Sequence, residues 1–407
     1  MDYNKTESGY LFQFIPDTFN YLTKIKKIKY NGTNLKTDYL INIIHELILK
    51  YYFHKDDSID KEIRFNMWST LMRSKYGAYY NYYINYLIDK DFVIMVSDYF
   101  KNKKARTYKL NVRELINIKR VKVYDNTLIK KNSKDYLKKS YLTFNNSPIP
   151  FEIRDKLIND LYDVTIDVEN SMSLIEDLRS KKIISYNKYW KNMLSIENIG
   201  IQNMFFKFDE YGRMHTNFTV LKREIRKNHL KIDGEEIAEV DISNSQPLFL
   251  AVLMKNELPT IKLFNPEFSR YFNLVKNGLI YEELMSKCDI EDRNEAKIMM
   301  YKVLFGINGD SQKYNRMFYN LFPNVYNFIK EYKDANDNYK SLSHILQNYE
   351  SKFIFNTVID HIYKIYPEIK LFTVHDSICY PVKYKNQVKD IFDYHQRKLL
   401  EEDFQLI

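Results

Sequence analysis

Two short β-runs of this 407-residue chain each carry an aspartate at the point where a strand ends. The run EIAEV, Glu236–Val240, leads directly into Asp241, and the run LFTVHDSICYPV, Leu371–Val382, has the pattern of a hairpin with Asp376 at its tip. Carboxylates at strand ends face the open edge of a sheet, where binding and catalytic sites are commonly built. Taken singly, either aspartate is also explained as a turn residue or a helix N-cap.

Between the two aspartates lies a helix with a regular spacing of charged and aromatic residues. The stretch DRNEAKIMMYKVLFG, residues 292–306, consists of strong helix formers and ends in glycine. Residues four apart share one face of a helix, and one face here carries Arg293, Lys297, Tyr301 and Phe305. Cations suit a triphosphate tail and an aromatic ring suits the face of a base. An ordinary amphipathic helix, with aromatics in the core and cations at the rim, has the same pattern.

Composition narrows the class of protein. The chain is 45% hydrophobic and 28% charged, the balance of a folded protein rather than a disordered one, and its length predicts two or three packed units. No run of 18 apolar residues occurs and the first ten residues lack a signal-peptide pattern, so we expect neither a membrane span nor export. Two cysteines, Cys288 and Cys379, cannot form a disulfide framework or a four-ligand zinc site, which favours the cytoplasm.

The net charge of +9 is compatible with nucleic-acid binding, but a lysine-rich composition bias produces it equally well. The pattern of predicted elements near the N-terminus indicates where part of this charge could contact nucleic acid. Three predicted helices, Thr37–Tyr52, Arg64–Tyr76 and Ala78–Leu87, precede two strands, Phe92–Val96 and Ala105–Leu110. Helices followed by a hairpin are typical of a winged helix, whose third helix enters the major groove. The hairpin tip, which would lie against phosphates, is defined here as Lys101, Lys103, Lys104 and Arg106.

The alternative for this region is a small helical domain whose hairpin tip is basic because it is solvated. Four domains are predicted: a winged-helix-like domain over 1–112, a basic linker over 113–150, a helical thumb-like region over 151–208 and the remainder, 209–407. Within the third, Asp167 and Glu169 have the spacing of a two-metal exonuclease. Such a nuclease needs further carboxylates spread over a larger domain, so we interpret this match as chance.

Three motifs, occurring in the family's order, resemble the palm and fingers of A-family DNA polymerases and of the phage-type single-subunit RNA polymerases. EVDISNSQP around Asp241 resembles the first palm motif, and R-x3-K-x7-F-G, from Arg293 to Gly306, resembles the fingers helix. His375-Asp376 resembles the His-Asp pair of the third palm motif. The resemblance covers about 209–382, less than half of the chain, and implies that the fourth predicted domain, 209–407, is the palm and fingers. The predicted fold is therefore α+β: a right-hand polymerase with an antiparallel palm sheet and helical fingers and thumb, preceded by the winged-helix-like domain.

The resemblance also implies a role for each matched residue. Asp241 and Asp376, with the main-chain carbonyl of Ile242, would bind two Mg²⁺ ions, with Mn²⁺ as an alternative, and Lys297 would complete the catalytic set. Arg213, in DEYGR, is similar to an arginine that reaches the minor groove at the primer terminus. The residues that would contact DNA are Arg213, Gln347 and His375, and those that would contact the incoming nucleotide are Arg293, Lys297, Tyr301, Phe305 and Gln246.

The predicted function is template-directed nucleotidyl transfer, by a small DNA-directed DNA polymerase without a proofreading exonuclease that serves a phage, a plasmid or a mobile element. Its expected partners are a DNA template–primer and nucleoside triphosphates, and we expect a monomer without membrane contact. The 135 residues from Asp241 to Asp376 leave little room for a large fingers insertion.

Two departures from the DNA polymerase pattern keep other classes open. Gln246 stands where DNA polymerases usually have a glutamate that blocks a ribose 2′-OH, and Phe305 stands where tyrosine is usual. A DNA-directed RNA polymerase or primase is the first alternative. The second is a DNA-binding replication initiator or repressor with a decayed polymerase core, and the presence of Asp241, Asp376 and Lys297 argues against it.

Overall fold

The computed structural model describes residues 9–54, 62–67, 69–98, 106–115, 117–132, 143–144, 147–259, 263, 265–309, 312–336 and 338–401. The chain is mixed α+β, mostly helical, with small antiparallel sheets. It divides into two compact units. Unit 1 comprises 1–140, 165–205 and 220–229, and unit 2 comprises 141–164, 206–219 and 230–407.

The N-terminal part of unit 1 contains the three predicted helices and the predicted hairpin. The helices are Thr37–His54, Ser69–Tyr76 and Tyr80–Asp89. The hairpin strands, Val93–Ser97 and Thr107–Leu110, are joined by the short strand Phe65–Asn66 in a three-stranded antiparallel sheet in which Thr107–Leu110 is central. The sequence predictions of these elements are therefore confirmed to within a few residues, except that the second helix begins five residues later than predicted.

The basic segment 113–150, predicted to be a linker, is structured over part of its length. Strand Ile118–Val123 pairs antiparallel with strand Leu11–Pro16 along six residue pairs. The linker prediction is wrong for this strand because its alternation, with Val121 and Val123 buried on either side of the exposed Lys122, was obscured by the high local charge. The other short elements of unit 1 are Asp17–Lys24 and Val112–Leu115, both 3₁₀-helical, and the hairpin strands Lys27–Tyr30 and Thr33–Lys36.

Unit 1 also takes most of the region predicted to be thumb-like. Helices Val168–Ser180 and Tyr186–Gly200 belong to unit 1, whereas helix Phe151–Leu161 belongs to unit 2, so 151–208 does not form one body. The short helix Arg223–Asn228, outside this region, is also part of unit 1. Asp167 is the N-cap of Val168–Ser180, and its side chain accepts a hydrogen bond from the backbone N–H of Asn170. This capping role accounts for Asp167 without an exonuclease site.

The centre of unit 2 is an antiparallel sheet with the strand order Phe372–Val374, Ser377–Pro381, Glu235–Asp241, Leu230–Ile232 and, at the point where the chain leaves the unit, Val164–Ile166. A separate hairpin is formed by Phe206–Phe208 and Met214–Thr216, followed by the 3₁₀ turn Asn217–Val220. The two strands that carry the predicted aspartates are thus neighbours.

Helices make up the rest of unit 2. Ser245–Glu257 is almost entirely buried, with Phe249, Leu250 and Leu253 inaccessible to solvent. None of the helices in the described ranges is long and apolar enough to cross a membrane. The remaining helices are Pro266–Lys276, Ile280–Cys288, Arg293–Phe305, Lys313–Leu321, Pro323–Ala335, Ser341–Lys352, the π-helical Phe353–Ile359, Asp360–Ile365, the 3₁₀ turn Val382–Tyr384 and Lys385–Glu401.

Candidate active site

The sheet of unit 2 brings the two aspartates together. Strand Glu235–Asp241 pairs with Ser377–Pro381, and the register places Asp241 opposite Ser377, the residue that follows Asp376. The hairpin that carries Asp376 closes in two residues, since Val374 pairs with Ser377. His375 occupies the first turn position with φ of 56°, in the left-handed region that tight turns use. Residues 135 apart in sequence therefore meet at one edge of the sheet.

The raised pKa of Asp376 indicates that several negative charges lie close together where these strands end. Burial, together with the carboxylates of Glu350 and Asp241, raises the pKa of Asp376 to about 6, and the ammonium of Lys297 opposes this shift. Such couplings act only over short distances, so these four charged groups share one locality. Asp241 is exposed and makes no side-chain hydrogen bond or ion pair within the described ranges.

The donor set fits a magnesium ion. Mg²⁺ prefers oxygen ligands and is commonly held by one or two carboxylates together with water and substrate phosphates. Asp241 and Asp376 supply two carboxylates whose mutual repulsion a divalent cation would relieve. The described ranges contain no group of three or more histidine, cysteine or acidic side chains arranged around a metal position. Any binding of Mg²⁺ here would therefore use two protein carboxylates and leave the other positions to water, backbone and substrate.

A tight turn follows Asp241 and starts the buried helix Ser245–Glu257. Asn244 precedes the helix with φ of 45°, and its side-chain amide donates to the backbone carbonyl of Val275 at 2.9 Å. Ile242, whose carbonyl is a predicted metal ligand, is buried within this turn. Gln246 follows in the first turn of the helix Ser245–Glu257, where it is 5% exposed.

Helix Arg293–Phe305 presents the predicted ladder. Asp292 caps its N-terminus by accepting from the backbone N–H of Asn294. The aromatic rings of Tyr301 and Phe305 are stacked, with centroids 5.5 Å apart and 26° between their planes. Burial and the carboxylates of Asp376 and Glu350 raise the pKa of Tyr301 to about 12. This half of the ladder therefore lies near the carboxylate cluster.

The two cations of the ladder differ in their environment. The Arg293 Nε donates to Glu282 Oε1 at 2.8 Å, and both side chains are about half exposed. Lys297 is exposed, lies with its Nζ 5.6 Å from the centroid of the Tyr301 ring, and has no ion-pair partner in the described part of the chain. Lys297 is thus the ladder cation that is available to a ligand.

A buried lysine holds the end of the same helix. The Nζ of Lys333 donates to the backbone carbonyls of Val303 at 2.8 Å and Gly306 at 2.9 Å. The Val303 carbonyl belongs to the last helical turn and Gly306 is the C-cap, positions where intrahelical partners are missing. Burial lowers the pKa of Lys333 to about 8. Lys333 was not predicted from the sequence, and it fixes the C-terminal end of the ladder next to Phe305.

A second residue missed by the sequence analysis is Glu350, on helix Ser341–Lys352. Its side chain is 3% exposed and accepts from the guanidinium of Arg213 at 3.0 Å (Nε) and 2.5 Å (a terminal nitrogen). Arg213 follows Gly212, which has φ of +85° and would place a Cβ only 2.5 Å from Ser351 Oγ. The turn at Gly212 is therefore what brings Arg213 to Glu350.

The other residues predicted to contact DNA occupy distinct positions. Gln347 is half-buried on the helix that carries Glu350, three residues before it. His375 is exposed, and its ring lies 6.5 Å from that of His215, which bonds to Asp209 at 2.9 Å. In the hairpin tip, Arg106 is exposed and its Nε lies 2.9 Å from Asp98 Oδ1. Lys101, Lys103 and Lys104 lie outside the described residues.

The comparisons with known proteins are sparse. No model of a protein family matches the sequence, and no curated protein is similar to it at a significant level. Among solved structures, the chain is similar to the POL domain of Pol1 from M. smegmatis, in complex with DNA primer-template and dNTP, with 12% sequence identity and a TM-score of 0.37. The superposition covers 69% of this chain and 70% of that domain. So loose a superposition does not assign an activity to the chain.

Proposed function

We propose that the chain is a template-directed nucleotidyltransferase that extends a nucleic-acid primer. The observation that carries the proposal is the pairing that sets Asp241 beside Asp376, with Lys297 close enough to influence the pKa of Asp376. Two carboxylates for divalent cations and one available cation for a triphosphate are the groups that phosphoryl transfer requires. The order of the polymerase-like motifs along the chain supports the same conclusion.

Each side chain then has a defined task. Divalent cations bound by Asp241 and Asp376 would activate the primer hydroxyl and neutralise charge on the departing pyrophosphate. Lys297 attracts the β- and γ-phosphates and is placed to give a proton to the pyrophosphate as it leaves. The stacked rings of Tyr301 and Phe305 offer an apolar surface for the base or sugar of the incoming nucleotide. Positioning and charge stabilisation do most of the catalysis in such a site.

Within this class we propose a DNA polymerase. The side chain of Gln246 is large for a position where a ribose 2′-OH is to be admitted, and it is buried among other side chains rather than free to swing away. A ribonucleotide polymerase or primase is the second candidate, because Gln246 lacks the negative charge that DNA polymerases usually place there.

We further propose that the N-terminal part of unit 1 binds duplex DNA as a winged-helix-like module. The order of helices Thr37–His54, Ser69–Tyr76 and Tyr80–Asp89 and of the hairpin strands supports this proposal. Helix Tyr80–Asp89 has no lysine or arginine, and its exposed residues include Asn81 and Asn85. Contacts to phosphates would therefore come mainly from the hairpin tip, whereas asparagines suit base edges.

A primer-extension assay tests the proposal. The full chain, Mg²⁺ and a labelled primer on a series of templates are supplied with dNTPs and rNTPs in separate reactions. We expect extension that follows the template base, and faster extension with dNTPs than with rNTPs. Extension only with rNTPs would move the assignment to the RNA polymerase or primase class. Absence of extension with either, while DNA is still bound, would leave the DNA-binding class in its place.

A further inference from the structure

Glu350 connects two residues that the proposed function assigns to different parts of the substrate. Its Oε1 accepts both hydrogen bonds from Arg213, and its Oε2 accepts from Ser245 Oγ and from Gln246 Nε2, each at 2.5 Å. Hydrogen bonds to a charged, buried carboxylate are among the strongest in proteins. One carboxylate therefore holds both the arginine expected at the primer terminus and the glutamine expected at the sugar.

The hydrogen bond from Gln246 to Glu350 determines which end of the Gln246 amide is left to bind another group. An ionised carboxylate only accepts hydrogen bonds, so Glu350 selects the NH₂ end of the amide and turns the carbonyl end away. The carbonyl Oε1 of Gln246 is buried and has no hydrogen-bond partner among the residues that the structure describes. A buried polar atom without a partner is unfavourable, because it has lost its hydrogen bonds to water and gained none in the protein. In the free protein, the Gln246 carbonyl oxygen is thus a hydrogen-bond acceptor without a donor among the described residues.

The acceptor lies in the neighbourhood of the catalytic carboxylates. Gln246 is five residues after Asp241, and the helix that carries Glu350 packs against both Ser245–Glu257 and the ladder helix Arg293–Phe305. Tyr301 in turn is stacked on Phe305 in the ladder. Under the proposed function, the sugar of the incoming nucleotide binds in this region, and its hydroxyl groups are the hydrogen-bond donors closest to Gln246.

We propose that Glu350 is a positioning residue, which orients Gln246 so that its carbonyl oxygen accepts a hydrogen bond from a sugar hydroxyl of the incoming nucleotide. The inference rests on the proposed function. Because the oxygen is closed to water in the free chain, the side chains around it must shift to admit the sugar. The hydroxyl is either the 3′-OH, which both kinds of nucleotide carry, or the 2′-OH of a ribonucleotide, and fluorine substitution separates these sources.

Fluorine accepts but does not donate, so it cannot replace a hydroxyl that donates to Gln246. We would measure kcat/KM for single incorporation of nucleotides with OH or F at the 2′ position, and of a second pair with OH or F at the 3′ position. At one of the two positions, the wild-type protein should use the fluoro compound at least about tenfold less well, equivalent to about 1.4 kcal/mol. Equal use of OH and F at both positions would overturn the proposal.

Glu350→Gln then tests the orientation itself. A glutamine at position 350 still offers an oxygen to Arg213 but presents an NH₂ group to Gln246, which should invert the Gln246 amide and expose its donor end to the sugar. The fluorine penalty should fall at least tenfold, whatever happens to the overall rate. A merely structural loss would slow OH and F compounds alike and leave their ratio unchanged, and an unchanged ratio would refute the positioning role.

Asn348→Ala is the matched control, because it removes a half-buried amide from the same helix at a residue that has no assigned role in the site. Its OH-to-F ratio should equal that of the wild type. If Glu350→Gln does not fold, the wild-type fluorine series still decides whether Gln246 accepts from the sugar. Failure to incorporate any nucleotide would overturn the proposed function, and this inference with it, whereas normal incorporation without a fluorine penalty would overturn the inference alone.

Discussion

Lys297→Ala should remove catalysis while leaving the fold nearly unchanged. In the free protein the Lys297 side chain is exposed and has no ion-pair partner in the described ranges, so its loss orphans no buried group. The free energy of unfolding should therefore change by no more than about 0.5 kcal/mol. In the transition state the same ammonium faces phosphate charge, and the loss of one such contact costs about 3 kcal/mol. The expected fall in kcat/KM for nucleotide is at least about 100-fold.

Single-nucleotide incorporation under steady-state conditions measures this effect, with DNA affinity and thermal stability determined in parallel. Lys302→Ala is the matched control, since Lys302 is an exposed lysine of the same helix whose Nζ lies 4.8 Å from the ring of Tyr314. We expect Lys302→Ala to retain wild-type kinetics. An equal loss in both variants, or a loss of DNA affinity in place of nucleotide use, would refute the assignment of Lys297 to the triphosphate.

Three further predictions concern other parts of the chain. The folded pKa of Lys333 is about 8, below the 10.5 of a free lysine, so folding releases a proton between these values. The stability of the wild type relative to Lys333→Met should therefore rise by about 2 kcal/mol from pH 7 to pH 10, and chemical denaturation that shows a flat difference would contradict this. Gly212→Ala should destabilise the protein by more than the about 1 kcal/mol expected for Gly234→Ala, because both have positive φ but only Gly212 also meets a neighbouring side chain; equal melting temperatures would count against it. Replacing the three lysines of the hairpin tip by glutamine should make the plot of log K for duplex DNA against log salt shallower by about 0.9 for each lost phosphate contact, and an unchanged slope would remove the hairpin from the DNA interface.

The sequence allowed the local elements of the site to be predicted because each has its own periodicity. The four-residue spacing from Arg293 to Phe305 could only share a face if the segment was a helix, and the hairpin around Asp376 followed from two apolar runs and a short polar turn. That the strand of Asp241 pairs with the strand of Ser377 could be expected only from the resemblance to polymerase motifs, since spacing alone does not say which strands are neighbours.

What the sequence did not reveal depends on contacts between distant residues. Glu350 is separated from Arg213 by 137 positions, and an isolated glutamate in a helix is normally assumed to be solvated. Only the folded structure shows that Glu350 is buried and bonded to Arg213. Lys333 was missed for the same reason. Strand Ile118–Val123 was missed because three basic residues among its six resemble a charged linker unless Val121 and Val123 are known to be buried.

The central claim, that Asp241 and Asp376 form the metal-dependent centre of a nucleotidyltransferase, is tested most directly by Asp241→Asn. Asp241 is exposed, so this change should shift the melting temperature by no more than about 2 °C. Glu239→Gln is the control, because it neutralises a carboxylate on the same face of the same strand, two residues earlier. Primer extension should be abolished in Asp241→Asn and normal in Glu239→Gln. Extension by Asp241→Asn at more than a few per cent of the wild-type rate would contradict the account.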